Sequence, residues 1–250
     1  MDEPAPNTAG PAADGGAEPR PGLLKRAFLR CDHRTRYGVS LLLFWPTCLG
    51  VRLRCALSTS QRLFTRITPH VILGAVPLTR ASLIALSRSE HVRGIVNLCR
   101  EFDWHGSWYS SAGMRQLWLP TIDYDTPAFS DCVAGANFIS DCGARGETAY
   151  THCKAGKGRS TTIVLAFLVL YRGMTPEGAH AHVKAIRPQI SEKYTTHEIQ
   201  RCWQLRQELD AGRLEMPEFR ELLAALALPG SSADATSVLS EAAARRRRLH

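Results

Sequence analysis

Short apolar runs and amphipathic stretches alternate through the middle of this chain. Val71-Ile72-Leu73-Gly74-Ala75-Val76-Pro77 reads as a strand ending in a turn. Gly94–Cys99, Met114–Leu119 and Glu147–Cys153 read as three further strands. Between and after them the period changes to that of helices. Thr79 can cap one running through Glu90, and Ser130 begins another that ends near Cys142. Helices follow at Ser160–Tyr171, at Pro176–Arg187 behind Thr175, and at Thr196–Leu209, where Thr195-x-x-Glu198 has capping-box spacing. Such alternation predicts an α/β domain over residues 67–212, with a central, mostly parallel sheet flanked by helices. A further apolar helix, Met216–Leu228, has no evident purpose from sequence.

The flanks have a different character. Residues 1–22 are rich in Ala, Pro and Gly, carry four acidic residues and lack aromatics, which predicts disorder. From residue 23 to 66 the balance reverses: between Lys25 and Arg66 there are nine Lys/Arg against one acid, Asp32. Inside that segment lies the apolar run Tyr37–Val51. It is shorter than the ~20 residues of a spanning helix and is broken by Pro46. Basic flanks around a central Phe44-Trp45 pair suit a segment lying in a bilayer interface; the alternative is a helix packed on the α/β domain. Residues 213–250 combine the last helix, a Gly/Ser/Ala linker and Arg245–Arg248, which reads as a basic tail.

Composition narrows the setting. At 250 residues and 44% hydrophobic content the chain can bury one good core with appendages. Eight cysteines are scattered without paired or zinc-type spacing, which fits a reducing compartment and predicts neither a disulfide framework nor a metal site. The net charge of +8 favours polyanionic partners. No nucleic-acid motif accompanies it, so an anionic membrane surface is the expected partner, with no cofactor.

The chemistry concentrates in Thr151-His152-Cys153-Lys154-Ala155-Gly156-Lys157-Gly158-Arg159-Ser160-Thr161, which joins the last strand to an apolar helix. Successive amides of a tight loop, together with a helix N-terminus, form a nest for a tetrahedral dianion. Lys154, Ala155, Gly156, Lys157 and Gly158 would line it, the two glycines permitting the close approach and torsions required. Arg159 can grip two phosphate oxygens with its planar fork. Cys153 then lies at the floor of a positive bowl, where its thiol pKa falls below the usual value of about 8.5 and a thiolate can attack phosphorus. A nucleotide-binding P-loop is excluded because Gly158 follows Lys157 where Ser or Thr must hold magnesium, and Thr151 stands where the first glycine belongs.

This string resembles the His-Cys-x5-Arg-Ser/Thr signature of the cysteine-dependent tyrosine and dual-specificity phosphatases. The resemblance implies a cysteine-phosphatase fold of the dual-specificity type and a general acid on a loop upstream of the nucleophile. Asp123 stands 30 residues before Cys153, in Leu119-Pro120-Thr121-Ile122-Asp123-Tyr124-Asp125-Thr126-Pro127, and matches the family position. Asp125 competes for the role. Ser160 is expected to donate to the sulfur and ease its departure, or to cap the helix. His152 is expected to orient the loop while pointing away from Cys153. Glu101 is a candidate second carboxylate on Arg159, equally readable as an ordinary exposed glutamate.

A narrower resemblance follows from Leu73–Pro77, Gly94–Leu98, Leu119–Tyr124, His152–Thr162 and the leader-like Leu41–Thr47. Together they look like the mitochondrial-type protein-tyrosine-phosphatase-like family, especially its plant and algal members. That resemblance implies hydrolysis of phosphatidylglycerophosphate to phosphatidylglycerol at a mitochondrial inner membrane or in a plastid, with the cytoplasm or another membrane as the alternative location. Lys154 and Lys157 add two cations to the loop, which suits a headgroup bearing a second phosphate or an inositol ring. The string Lys-Ala-Gly-Lys-Gly-Arg is also that of a phosphoinositide 3-phosphatase, so phosphoinositide and phosphoprotein substrates stay open.

Overall fold

The computed structural model describes residues 23–102, 106–192 and 195–228. Strands β1 (Phe64–Thr68), β2 (Val71–Ala75), β3 (Val92–Cys99), β4 (Arg115–Thr121) and β5 (Thr148–Cys153) form one sheet of order β1-β2-β5-β3-β4. Four of them run parallel, and β1 adds an antiparallel edge to β2. β2 and β5 are buried at every position, the expected state of parallel strands covered on both faces, which is why their sequences read as continuous apolar runs.

Helices α4 (Arg80–Ser89) and α5 (Gly106–Ser111) cover one face of the sheet around Ile72, Ile95 and Tyr150. The other face packs against α6 (Phe129–Ala144), α7 (Arg159–Arg172), α8 (Pro176–Ile186), α9 (His197–Asp210) and α10 (Met216–Leu226). α7 is buried continuously from Arg159 to Leu170, so it is apolar around its whole circumference beyond the first turn. It stops at Gly173, whose φ of 65° supplies the left-handed cap that a side chain resists. The centre of the sheet and the buried helix meet where β5 ends and α7 starts, and the Cys153 loop occupies that junction.

Three helices precede the sheet: α1 (Leu23–Arg30), α2 (His33–Leu42) and α3 (Phe44–Leu57). Asp32 caps α2 by accepting from the Arg34 and Thr35 amides at 2.9 and 3.1 Å. α2 and α3 meet at a 56° bend, and Pro46 lies in the first turn of α3, where a missing N–H breaks no helical hydrogen bond. One side of α3 buries Phe44, Cys48 and Val51; Phe44 and Cys48 pack on Val76, Cys99 and Phe102 of the α/β domain. The opposite side exposes Leu49, Leu53 and Leu57 at 69%, 57% and 79%, continuing Leu42 at 77%. The packed alternative therefore holds for the inner face of α3, and the outer face is an exposed apolar ridge. No single described helix is long and apolar enough to cross a membrane; α2 and α3 meet that criterion only as a bent pair.

Several boundaries move. The expected domain start at residue 67 falls inside β1, whose strand begins at Phe64. The expected separation of residues 213–228 from the domain also changes: α10 buries Phe219, Leu222, Leu223 and Leu226 in the main core, and Asn137 of α6 donates to the Leu223 carbonyl at 3.1 Å. α9 starts one residue later than expected, with Thr196 at the cap position in place of Thr195. The expectations for residues 1–22, for the linker after residue 228 and for Arg245–Arg248 lie outside the described residues.

Candidate active site

The loop after β5 is braced from behind before its chemistry begins. Gly156 has φ of 65°, and a Cβ there would meet the Gly74 carbonyl oxygen at 2.4 Å. Glycine is therefore required both by torsion and by contact. Gly158, by contrast, has negative φ, so only the first of the two loop glycines uses the left-handed region. Arg187, 1% exposed at the end of α8, donates from Nε to the Gly156 carbonyl at 3.0 Å and from Nη2 to the Ala155 carbonyl at 3.4 Å. Its Nη1 reaches the Arg62 carbonyl and the Thr65 hydroxyl at 3.0 and 2.9 Å, tying the loop to the approach into β1. The Ser191 amide donates to the Lys157 carbonyl at 2.8 Å. Pinning these carbonyls backwards leaves the loop's amides facing the opposite way, toward Cys153.

Cys153 is 4% exposed and accepts from the Ser160 hydroxyl at 3.2 Å. Burial pushes its thiol up, but Arg159, the Ser160 hydroxyl and the amides of Ser160 and Lys157 outweigh that, so its pKa lies below the ordinary value. The contrast inside the molecule is informative. Cys48 and Cys142 are pushed up to about 11 and Cys202 to about 12 by burial, and Cys99 and Cys132 rise as well. Among the described buried cysteines, Cys153 alone is biased toward thiolate.

Arg159 is held by a buried frame. Its Nη1 donates to Glu101 Oε2 at 2.9 Å, to the Thr121 carbonyl at 2.6 Å and to the Leu98 carbonyl at 3.4 Å. Glu101 is itself 7% exposed, so the exposed-glutamate reading gives way to that of a buried partner carboxylate. Burial disfavours the Arg159 charge, but Asp123 and Glu101 more than restore it and raise its pKa. Its Nε–H is buried with no acceptor among the described residues.

The two competing aspartates are separated by geometry. Asp123 accepts from Arg159 Nη2 at 3.0 Å and forms an ion pair with Lys154. Burial raises its carboxyl, but Arg159, Lys154 and the Tyr124 amide prevail and hold it below the usual carboxylate range. Asp125 turns the other way and pairs with Arg36 of α2. Between them Tyr124 adopts a φ of 68°, a left-handed conformation uncommon outside glycine.

The remaining expected residues divide. Lys154 pairs with Asp123, whereas Lys157 reaches to Gln61 Oε1 at 3.4 Å, so only one of the two added cations joins the Arg159–Asp123 cluster. Burial, then Arg54, lowers the Lys157 pKa. His152 lies on the face of β5 away from Cys153, with its Nε2 3.2 Å from the Tyr109 hydroxyl. Arg187 and Arg36 were not singled out from sequence. Arg187 carries no local motif, and only its burial reveals it; Arg36 is one of nine basic residues in its segment.

A profile of the dual specificity phosphatase catalytic domain matches residues 76–200. The chain is 36% identical over 152 residues to phosphatidylglycerophosphate phosphatase PTPMT2 of Arabidopsis thaliana, covering 60% of this chain and 66% of that protein. It is 35% identical over 151 residues to PTPMT1 of the same plant, 59% of this chain and 44% of that one. It therefore spans less than two thirds of these plant relatives. It is 32% identical over 170 residues to phosphatidylglycerophosphatase and protein-tyrosine phosphatase 1 of Mus musculus, covering 65% of this chain and 88% of that protein. A crystal structure of PTPMT1 in complex with PI(5)P superposes with a TM-score of 0.54 at 29% identity, over 61% of this chain and 100% of that chain. With the profile spanning half of the residues and the phosphate loop inside it, the chain belongs to the dual specificity phosphatase family.

Proposed function

We propose that this protein is a cysteine-dependent phosphomonoesterase acting on an anionic phospholipid, most specifically on phosphatidylglycerophosphate. The observation that carries the reaction is that one guanidinium, Arg159, lies close enough to the Cys153 thiol to lower its pKa and also bonds the Asp123 carboxyl at 3.0 Å. In this reading the loop amides and the Arg159 Nε–H take the phosphate oxygens. The Cys153 thiolate forms a bond to phosphorus as the ester P–O bond breaks, and Asp123 gives its proton to the departing alkoxide. A bound dianion beside Asp123 competes for Arg159 and Lys154, which raises the carboxyl's affinity for that proton. The resulting carboxylate then draws a proton from water as the water oxygen attacks the phosphocysteine. Sulfur leaves as thiolate, stabilised by the Ser160 hydroxyl, and inorganic phosphate departs.

Lipid specificity is supported by the relatives named as phosphatidylglycerophosphate phosphatases. It is also supported by Lys154, a cation beyond the one a monophosphate needs, and by the exposed leucine ridge of α3 flanking the site. That ridge with its arginines suits an anionic bilayer surface. The same proposal takes that bilayer to be the mitochondrial inner membrane or a plastid membrane, a reading supported by the likeness to the mitochondrial-type family. A phosphoinositide substrate is the second reading, favoured by the complex of PTPMT1 with PI(5)P. The deciding experiment compares kcat/KM of the full chain on phosphatidylglycerophosphate, phosphoinositides and a phosphotyrosyl peptide in mixed micelles. Phosphatidylglycerophosphate is expected to rank first. A higher value on the peptide would overturn the lipid assignment and leave the thiolate chemistry intact.

A further inference from the structure

The N-terminal helices reach past the apolar contacts of α3 and touch the loop that carries Asp123. Phe28 of α1 meets the ring of Tyr124 edge-on, with centroids 5.7 Å apart and planes at 64°. Arg36 of α2 pairs with Asp125, the residue after Tyr124. Neither partner is freely solvated, the side chains being 18% and 30% exposed. The same helix is tied to the segment bearing Glu101: Arg100 lies 4.7 Å over the Tyr37 ring, and its Nη1 is 3.0 Å from His33 Nε2. α2 thus contacts both carboxylate-bearing segments that flank Arg159.

Tyr124 explains why such a grip is needed. A non-glycine residue in the left-handed region is strained, and it persists where the surrounding structure holds it there. On one side Asp123 is fixed by Arg159 and Lys154. Those are the groups for which a phosphate ester competes, so that anchor weakens when substrate binds. The anchor on the other side, Arg36 on Asp125, stands outside the phosphate loop and is not subject to that competition.

We propose that Arg36 is a positioning residue for the reaction: through Asp125 it holds the strained Asp123-Tyr124-Asp125 turn so that the Asp123 carboxyl stays aimed at the leaving oxygen while the phosphate occupies Arg159. The inference rests on the assignment of Asp123 as proton donor. It makes the N-terminal helices part of the catalytic unit and not only an attachment to it.

The test uses the full chain with Arg36→Gln, Arg36→Lys, Asp125→Asn and the Arg36→Gln/Asp125→Asn double variant, and Asp123→Asn as reference. Each is assayed on two soluble esters, an alkyl phosphate with a poor leaving group and an activated aryl phosphate that departs without a proton. Arg36→Gln is expected to lower kcat on the alkyl ester by about tenfold or more, as misplacement of a catalytic group does, with KM and the aryl rate little changed. Arg36→Lys is expected to recover most of the loss, and the double variant to be no slower than the worse single variant. A destabilised fold would lower both rates together, so equal losses on the two esters would overturn the proposal. So would independent, multiplying effects of the two substitutions. If Asp123→Asn itself spared the alkyl ester, the proton-donor assignment would fall and this inference with it; a normal Asp123→Asn profile beside an unaffected Arg36→Gln would sink the inference alone.

Discussion

Two aspartates two residues apart face opposite partners, and that difference separates their chemistry. Asp123 lies against Arg159 and Lys154, Asp125 against Arg36. Their spacing alone could not divide them, because the turn at Tyr124 that splays them apart depends on tertiary partners. In the free protein both Cys153 and Asp123 titrate below their ordinary ranges, each despite burial that opposes the shift and because of nearby positive charge. Catalysis needs the thiolate and the protonated carboxyl together, so kcat/KM falls below the lower of the two pKa values and again above the higher, and both limbs are displaced toward acid from those of an ordinary thiol and carboxyl. Asp123→Asn is expected to lower turnover on an alkyl ester by about 10²-fold or more, and to flatten the alkaline fall of what remains on that ester. A wild-type alkaline limb in that variant would return the role to Asp125. For stability, the depressed Asp123 carboxyl contributes above its unfolded pKa of about 3.9, and that contribution is lost as pH falls through the lower folded value. Arg187 marks the limit of reading by motif. It braces the loop through the carbonyls of Ala155 and Gly156, from a position 34 residues beyond the nucleophile with no local pattern around it.

At the scale of elements, the bent pair of α2 and α3 carries two surfaces of different character, one packed and one exposed. Its apolar composition was plain in the sequence, but the break falls at Leu43, three residues before the expected Pro46, which sits in the first turn of α3; composition also could not say which leucines pack and which face outward. The structure resolves this by period: Leu42, Trp45, Leu49, Leu53 and Leu57 recur at three- and four-residue steps on the exposed side, while Phe44, Cys48 and Val51 turn inward. Each outward leucine moved into an apolar phase would contribute about 1.5–3 kcal/mol. Leu49→Ser/Leu53→Ser is therefore expected to lower partition onto anionic vesicles by at least about tenfold, with the rate on a soluble aryl phosphate unchanged. Unchanged partition in a vesicle co-sedimentation assay would count against the membrane surface.

For the molecule as a whole, the parallel centre was the easiest part to read. β2, β3 and β5 are buried on both faces and spell themselves as apolar runs, and the phosphate loop sits where the last of them meets a helix. The parts that escaped are those whose identity depends on a distant partner. β1 is a short, half-exposed edge containing Arg66, recognisable only by its pairing with β2. α10 is an ordinary amphipathic helix until it docks on α6 and closes the core. All of these elements serve to hold one sulfur beneath a ring of amides and a guanidinium. The most direct measurement is rapid acid quench of turnover with ³²P-labelled substrate, followed by peptide mapping. The expected label is on Cys153, absent from Cys153→Ser, which forms no product. Label on another side chain, or product release by Cys153→Ser, would contradict the covalent mechanism.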